Sequence, residues 1–198
     1  MNKFFRLAAC VIAIAFPAIA SATSTVINFD DLTNGTVITN QYASATFSSV
    51  AGYVNYVTTQ PEYMGTPPNF LCTGPVGGSI DCAHDTLVNF TNPVDSLTFQ
   101  ALGIDDVGLV AQVDVYVNDA YASTVDVMGN AEGLSPVLVD LTAYSDVTSI
   151  RIYNITDGGG IGWDTFSFNT EVTGTPEPAS IAMVGFGLLA LARKLRRG

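Results

Sequence analysis

Positive charge is nearly missing from this chain. Only seven of its 198 residues are Lys or Arg, and six of those lie at the two ends: Lys3 and Arg6 at the start, Arg193, Lys194, Arg196 and Arg197 at the finish. Arg151 is the one cation between them, set against seventeen Asp and Glu in residues 23–175, so this stretch has a net charge near −16. Nucleic acid is thereby excluded as a partner, because phosphate binding needs clustered Lys and Arg. An anionic lipid surface is excluded for the same reason. Neutral sugars and hydrated divalent cations remain compatible. The acids are scattered among apolar residues, the pattern of a soluble, self-repelling surface.

Histidine and cysteine are equally scarce. His84 is the only histidine, beside Cys82 and Asp85, with no nucleophile motif around it. A glycosidase would need two acids at a defined separation across a cleft, and nothing singles out a pair among the seventeen. Of three cysteines, Cys10 lies in the apolar leader, leaving Cys72 and Cys82 around a Gly/Pro-rich loop. A metal site would need two more soft ligands, and His84 is the only further one nearby. Also lacking are an apolar run of the ~20 residues that span a bilayer and any long helical period in the middle of the chain.

What is present begins with the ends. Lys3 and Arg6 precede a largely apolar stretch, residues 7–20, and Ala18-Ile-Ala20 or Ala20-Ser-Ala22 supplies a small-x-small cleavage site. That is the pattern of a secretory signal peptide over residues 1–22, with the mature chain starting at Ser21 or Thr23. Export favours the pairing of Cys72 with Cys82 as a disulfide.

Residues 23–173 read as one all-β domain. Short segments rich in Val, Ile, Thr, Tyr and Phe fall at 26–29, 44–47, 52–57, 86–90, 96–102, 110–117, 122–127, 136–141, 148–155 and 162–168, separated by Asn, Asp, Gly and Pro. Val113-Asp-Val-Tyr-Val117 alternates, so one face is buried. Val117-Asn-Asp-Ala-Tyr121 is a hairpin candidate. About ten short strands without helices predict a jelly-roll-type β-sandwich, with an immunoglobulin-like sandwich second for want of its Cys, Trp, Cys pattern. The opening Ile27-Asn-Phe-Asp-Asp-Leu-Thr-Asn-Gly-Thr36 and the closing Ile161-Gly-Trp-Asp-Thr-Phe-Ser-Phe168 resemble the first and last strands of exported jelly-roll domains related to carbohydrate-binding modules.

Two kinds of site are expected in this domain. Ile27, Phe29 and Asp31 share a face by the two-residue period, as do Asp164, Phe166 and Phe168. If the terminal strands pair antiparallel, Asp31 and Asp164 converge, and two such carboxylates call for a structural Ca2+, with Asp30 and Asn34 as further ligands. Asp105-Asp106 and Asp157 before Gly158-Gly-Gly160 are weaker candidates. Trp163, on the face opposite Asp164, is the expected stacking platform for a sugar, with Tyr53, Tyr56, Tyr63, Tyr116, Tyr121, Tyr144 and Tyr153 as the other aromatics.

The tail carries the most specific signal. Thr175-Pro-Glu-Pro178 stops the preceding strand, residues 181–192 are apolar or Gly, and Arg193, Lys194, Arg196 and Arg197 follow at once. Cations placed so hold a segment's end on the cytoplasmic side of a membrane. Residues 174–198 resemble the PEP-CTERM sorting signal of Gram-negative bacteria that make exopolysaccharide, a motif also called the ice-binding protein C-terminal domain. Pro176, Glu177 and Pro178, the apolar stretch and the basic cluster match in order, with Thr175 where Val is commonest. The resemblance implies export, transient inner-membrane retention by a short transmembrane helix, and cleavage near the Pro-Glu-Pro by an exosortase. The expected protein is therefore a non-enzymatic component of the cell envelope or extracellular matrix, structural or bound to extracellular polysaccharide in a biofilm. A secreted glycan-active hydrolase is the alternative.

Overall fold

The computed structural model describes residues 21–59, 68–77, 81–130 and 135–172. Residues 1–20 of the expected signal peptide over 1–22, and the expected sorting tail over 174–198, lie outside these residues. Among the described residues no helix is long and apolar enough to cross a membrane. The chain divides into a compact unit, Ala22–Glu171, and its two ends.

The compact unit is all β, as expected. Its strands are β1 (Ser21–Ile27), β2 (Val37–Ile38), β3 (Ala45–Ser49), β4 (Tyr53–Thr59), β5 (Asn69–Pro75), β6 (Thr86–Leu102), β7 (Val107–Val117), β8 (Ala120–Asn130), β9 (Val137–Asp140), β10 (Val147–Tyr153) and β11 (Gly162–Val172). Every pair with a described register is antiparallel. The order is β2-β4-β5-β11-β6-β10-β7-β8, with β1 on β11 and both β3 and β9 on β6.

Strand β6 makes this a sandwich. Its first half pairs with β3 and β10, and its second half with β11 and β9. One layer is thus β3-β6-β10-β7-β8 and the other β9-β6-β11-β5-β4-β2, with β6 running through both. From sequence, Asn92-Pro93 reads as a turn that divides β6 into 86–90 and 96–102. The correction has a simple cause. Pro93 is exposed at the passage between layers, where the register opposite β10 shifts and a ladder N–H is not needed.

A single core fills the space between the layers. Phe47 of β3 meets Phe166 of β11 edge to face, with centroids 5.7 Å apart, and Phe29 joins both at 5.4 and 6.0 Å. Val88, Val113, Val115, Ile150 and Ile152 supply the other wall, all at most 1% exposed. Burying aromatic and β-branched side chains at alternate positions is what holds such a sheet pair together, at about 25 cal/mol per Å² of apolar surface.

Local signals explain the connections. Asn118 (φ 49°) and Asp119 (φ 63°) make the two-residue turn between β7 and β8, where Val117 pairs with Ala120. Two successive left-handed residues match the strand twist, and Asn and Asp tolerate that conformation. Cys72 and Cys82 form the expected disulfide. Cys72 is buried with Phe70 and Leu102 in a small second cluster, against which Cys82 packs.

Candidate functional sites

The first expected site begins where β1 ends. Phe29 takes a left-handed conformation (φ 60°) and its carbonyl accepts the Leu32 N–H at 3.1 Å, turning the chain. Asp30 fixes that turn: its carboxylate accepts from the Asn69 N–H at 3.0 Å and from Asn28 Nδ2 at 2.8 Å. Asn69 completes the clamp, with Nδ2 donating to the carbonyls of Phe29 and Leu32 at 3.1 and 2.7 Å. Asp31 is exposed and accepts from the Tyr42 hydroxyl at 2.7 Å, while Asn34 is exposed in the following turn.

Asp164 lies on β11, which pairs with β1, and is fully buried. Its Oδ1 accepts the Thr165 N–H at 2.6 Å. Burial, the hydrogen bond to Asp31 and the charges of Asp31, Asp30 and Asp164 together raise the Tyr42 hydroxyl far above the ordinary tyrosine value. The fields of all three carboxylates therefore meet at Tyr42, which stays protonated and donates. Asp30 is committed to backbone and amide donors, and Asp31 to the Tyr42 hydroxyl.

A second acidic group draws together more tightly. Carboxylate oxygens of Asp105, Asp106 and Asp157 lie within 4.8 Å of one another. Asp157 is 4% exposed, and its Oδ2 accepts the N–H groups of Asp105 and Asp106 at 3.1 and 3.2 Å while Oδ1 accepts that of Gly159 at 3.1 Å. Asp106 in turn accepts the Gly158 N–H at 3.3 Å. These bonds tie the loop after β6 to the loop before β11, and they account for Asp157 as a clamp. Gly160 closes the same loop: at φ +76° it packs so tightly on the Asp81 carbonyl that any Cβ would overlap it.

Trp163 does not serve as a platform. It is fully buried and packs edge to face on Phe99, with centroids 5.9 Å apart. The period-two reading fails because β11 carries a bulge between Asp164 and Ser167, with Thr165 at φ 50°. One extra residue resets the alternation, so Trp163 and Phe166 both point into the core. The lone histidine is also accounted for. His84 stacks on Tyr53 at 3.8 Å and pairs with Asp81 at 3.1 Å beside the disulfide, a loop clamp and not a base held against a nucleophile.

Comparison with known proteins places the tail. The family model of the PEP-CTERM protein-sorting motif matches residues 175–197. The chain ends in a PEP-CTERM sorting motif. No curated protein matches the chain. Among solved structures, the K1 cleaved adhesin domain of Lys-gingipain from Porphyromonas gingivalis W83 is similar at 16% identity and TM-score 0.44, over 76% of this chain and 99% of that one. A family 35 carbohydrate-binding module from Paenibacillus barcinonensis follows at 15% identity and TM-score 0.36, over 74% and 99%. An arabinose-bound α-L-arabinofuranosidase gives 16% and 0.43, over 75% of this chain and only 26% of the enzyme. No residue role or ligand passes to this chain from likenesses of this size.

With the PEP-CTERM tail set apart, the missed feature of the β-unit is its lone cation. Arg151 donates from Nε and Nη2 to Asp85 Oδ2 at 3.1 and 2.6 Å and lies 4.9 Å over the Tyr153 ring. The hydrogen bonds it donates to Asp85 raise its pKa further, so it is charged at every working pH. The signal was in the composition: one cation among seventeen acids needs a reason.

Proposed function

We propose that this is an exported protein, held transiently in the inner membrane by its tail, cut near Pro176–Pro178 by an exosortase, and left at the surface or in the extracellular polysaccharide matrix of a Gram-negative cell. There its β-sandwich binds glycan without hydrolysing it, or contributes structure. The observation that carries the reading is the PEP-CTERM match over residues 175–197. The role of His84 as a loop clamp supports a non-catalytic domain. The test is incubation of the mature protein with a panel of polysaccharides. Retention with no new reducing ends is expected, and release of oligosaccharides would favour the hydrolase instead.

A structural Ca2+ at Asp31 and Asp164 belongs to the same proposal. It is supported by the burial of Asp164 and by the meeting of both charges at Tyr42. Ca2+ at a hundred times its dissociation constant should add about 2.7 kcal/mol of stability, and so raise the melting midpoint by several degrees. The Asp164→Asn variant should lose that shift and Asp105→Asn should keep it. The reverse pattern would move the ion to the Asp105, Asp106 and Asp157 loops. No shift on chelation in the parent protein would remove calcium from the account.

A further inference from the structure

Arg151 belongs to none of the sites above, yet its surroundings are highly ordered. On β10 the core takes Ile150 and Ile152, which turns Ser149, Arg151 and Tyr153 outward. The register sets Arg151 beside Asp114 of β7 and Leu87 of β6, and Tyr153 beside Gln112. Asp114 and Gln112 in turn face Thr124 and Asp126 of β8. The outer surface of this layer is therefore a polar grid, with neighbouring strands about 4.8 Å apart.

Hydrogen bonds fix the grid's side chains in place. Asn154 Nδ2 donates to Gln112 Oε1 at 3.1 Å, and Gln112 Nε2 donates to Asp126 Oδ1 at 3.0 Å. Thr124 Oγ1 donates to Asp114 Oδ1 at 2.5 Å. Tyr121, 59% exposed, stands at the margin with its ring 6.1 Å from that of Tyr116.

Charge and chemistry decide the class of ligand. Asp85 neutralises Arg151, so Asp114 and Asp126 leave the grid negative, and polymers bearing phosphate, sulfate or uronate are repelled. A protein partner favours an interface centre depleted of charge, whereas this centre holds an ion pair. A neutral polyol chain meets both conditions. Its hydroxyls donate to the carboxylates and accept from the guanidinium and amide, and its C–H faces lie against tyrosine rings.

We propose that the face formed by Arg151, Asp85, Asp114, Gln112, Tyr153 and Tyr121 binds a neutral polysaccharide chain. The inference rests on the glycan-binding reading and adds the face and the charge class. An exposed sheet face holds each sugar weakly, so affinity arises from several sugars of one polymer engaged at once.

Affinity electrophoresis of the mature protein through a soluble neutral glucan, and separately through a polyuronate, tests this. The parent protein should be retarded by the glucan only. Arg151→Lys keeps the charge but loses the guanidinium fork, and should bind about tenfold more weakly. Tyr121→Ala, an exposed change that leaves the core intact, should bind about threefold more weakly. Val37→Ala, exposed on β2 at the opposite end of the strand order from β8, should bind as the parent does. Glucan binding unchanged in both Arg151→Lys and Tyr121→Ala would overturn the face while leaving glycan binding standing. Retardation by the polyuronate alone would overturn the neutral ligand in the same way. No retardation by either polymer would overturn this proposal, and binding to nothing on the wider panel would overturn the glycan-binding reading with it.

Discussion

Trp163→Ala should destabilise the β-unit by about 3–5 kcal/mol, the range for emptying a large aromatic from a packed core. The side chain is fully buried, heads the set of largest buried groups and contacts Phe99, which is itself stacked on Phe166 at 4.9 Å. Removal opens a cavity in the second layer that those rings cannot close without leaving their rotamers. Trp163→Phe should cost much less, because it keeps most of the apolar volume. It also deletes an indole N–H that has no hydrogen-bond partner among the described residues. Urea denaturation of the two variants measures the difference. An exposed sugar platform would show the opposite: near-parental stability in both, with binding lost.

Loss of the Cys72–Cys82 bond should have the next largest effect. The half-cystines are ten residues apart in sequence, and closing a loop of that size restricts the unfolded chain by about 3 kcal/mol in the chain-entropy picture. The native side adds to this. The Cys82 carbonyl accepts the Ile161 N–H at 2.9 Å, so the bond also anchors the segment on which Gly160 and β11 pack. Denaturation with and without reductant should therefore show a midpoint lowered by several degrees. Cys72→Ala with Cys82→Ala should match the reduced protein. Alkylation of both cysteines in unreduced material would show that no such bond forms.

Much of the fold was legible because its local signals agree. The alternation of Val113 and Val115 with Asp114 and Tyr116 marked a half-buried strand, and Asn118-Asp119 marked its turn. Strand β5 escaped notice because Asn69-Phe-Leu-Cys-Thr-Gly-Pro75 is buried on both faces, with Leu71 in the main core and Phe70 and Cys72 in the second cluster. A short strand with no alternation, ending in Gly and Pro, has no period to detect. Trp163 was misplaced by a bulge, which period-two reasoning cannot see when Thr165 is the residue at positive φ. Asp105, Asp106 and Asp157 come together through loops 52 residues apart in sequence, and no spacing rule anticipates that. Arg151 on β10 and Asp85, just before β6, are likewise 66 residues apart.

The central claim, that the chain is exported and sorted through its PEP-CTERM tail, is most directly tested by the intact mass of the protein recovered from its host's extracellular fraction. The mass should correspond to a chain that begins near Ser21 or Thr23 and ends near Pro176–Pro178. A secreted chain that still carries Arg193, Lys194, Arg196 and Arg197 would contradict it.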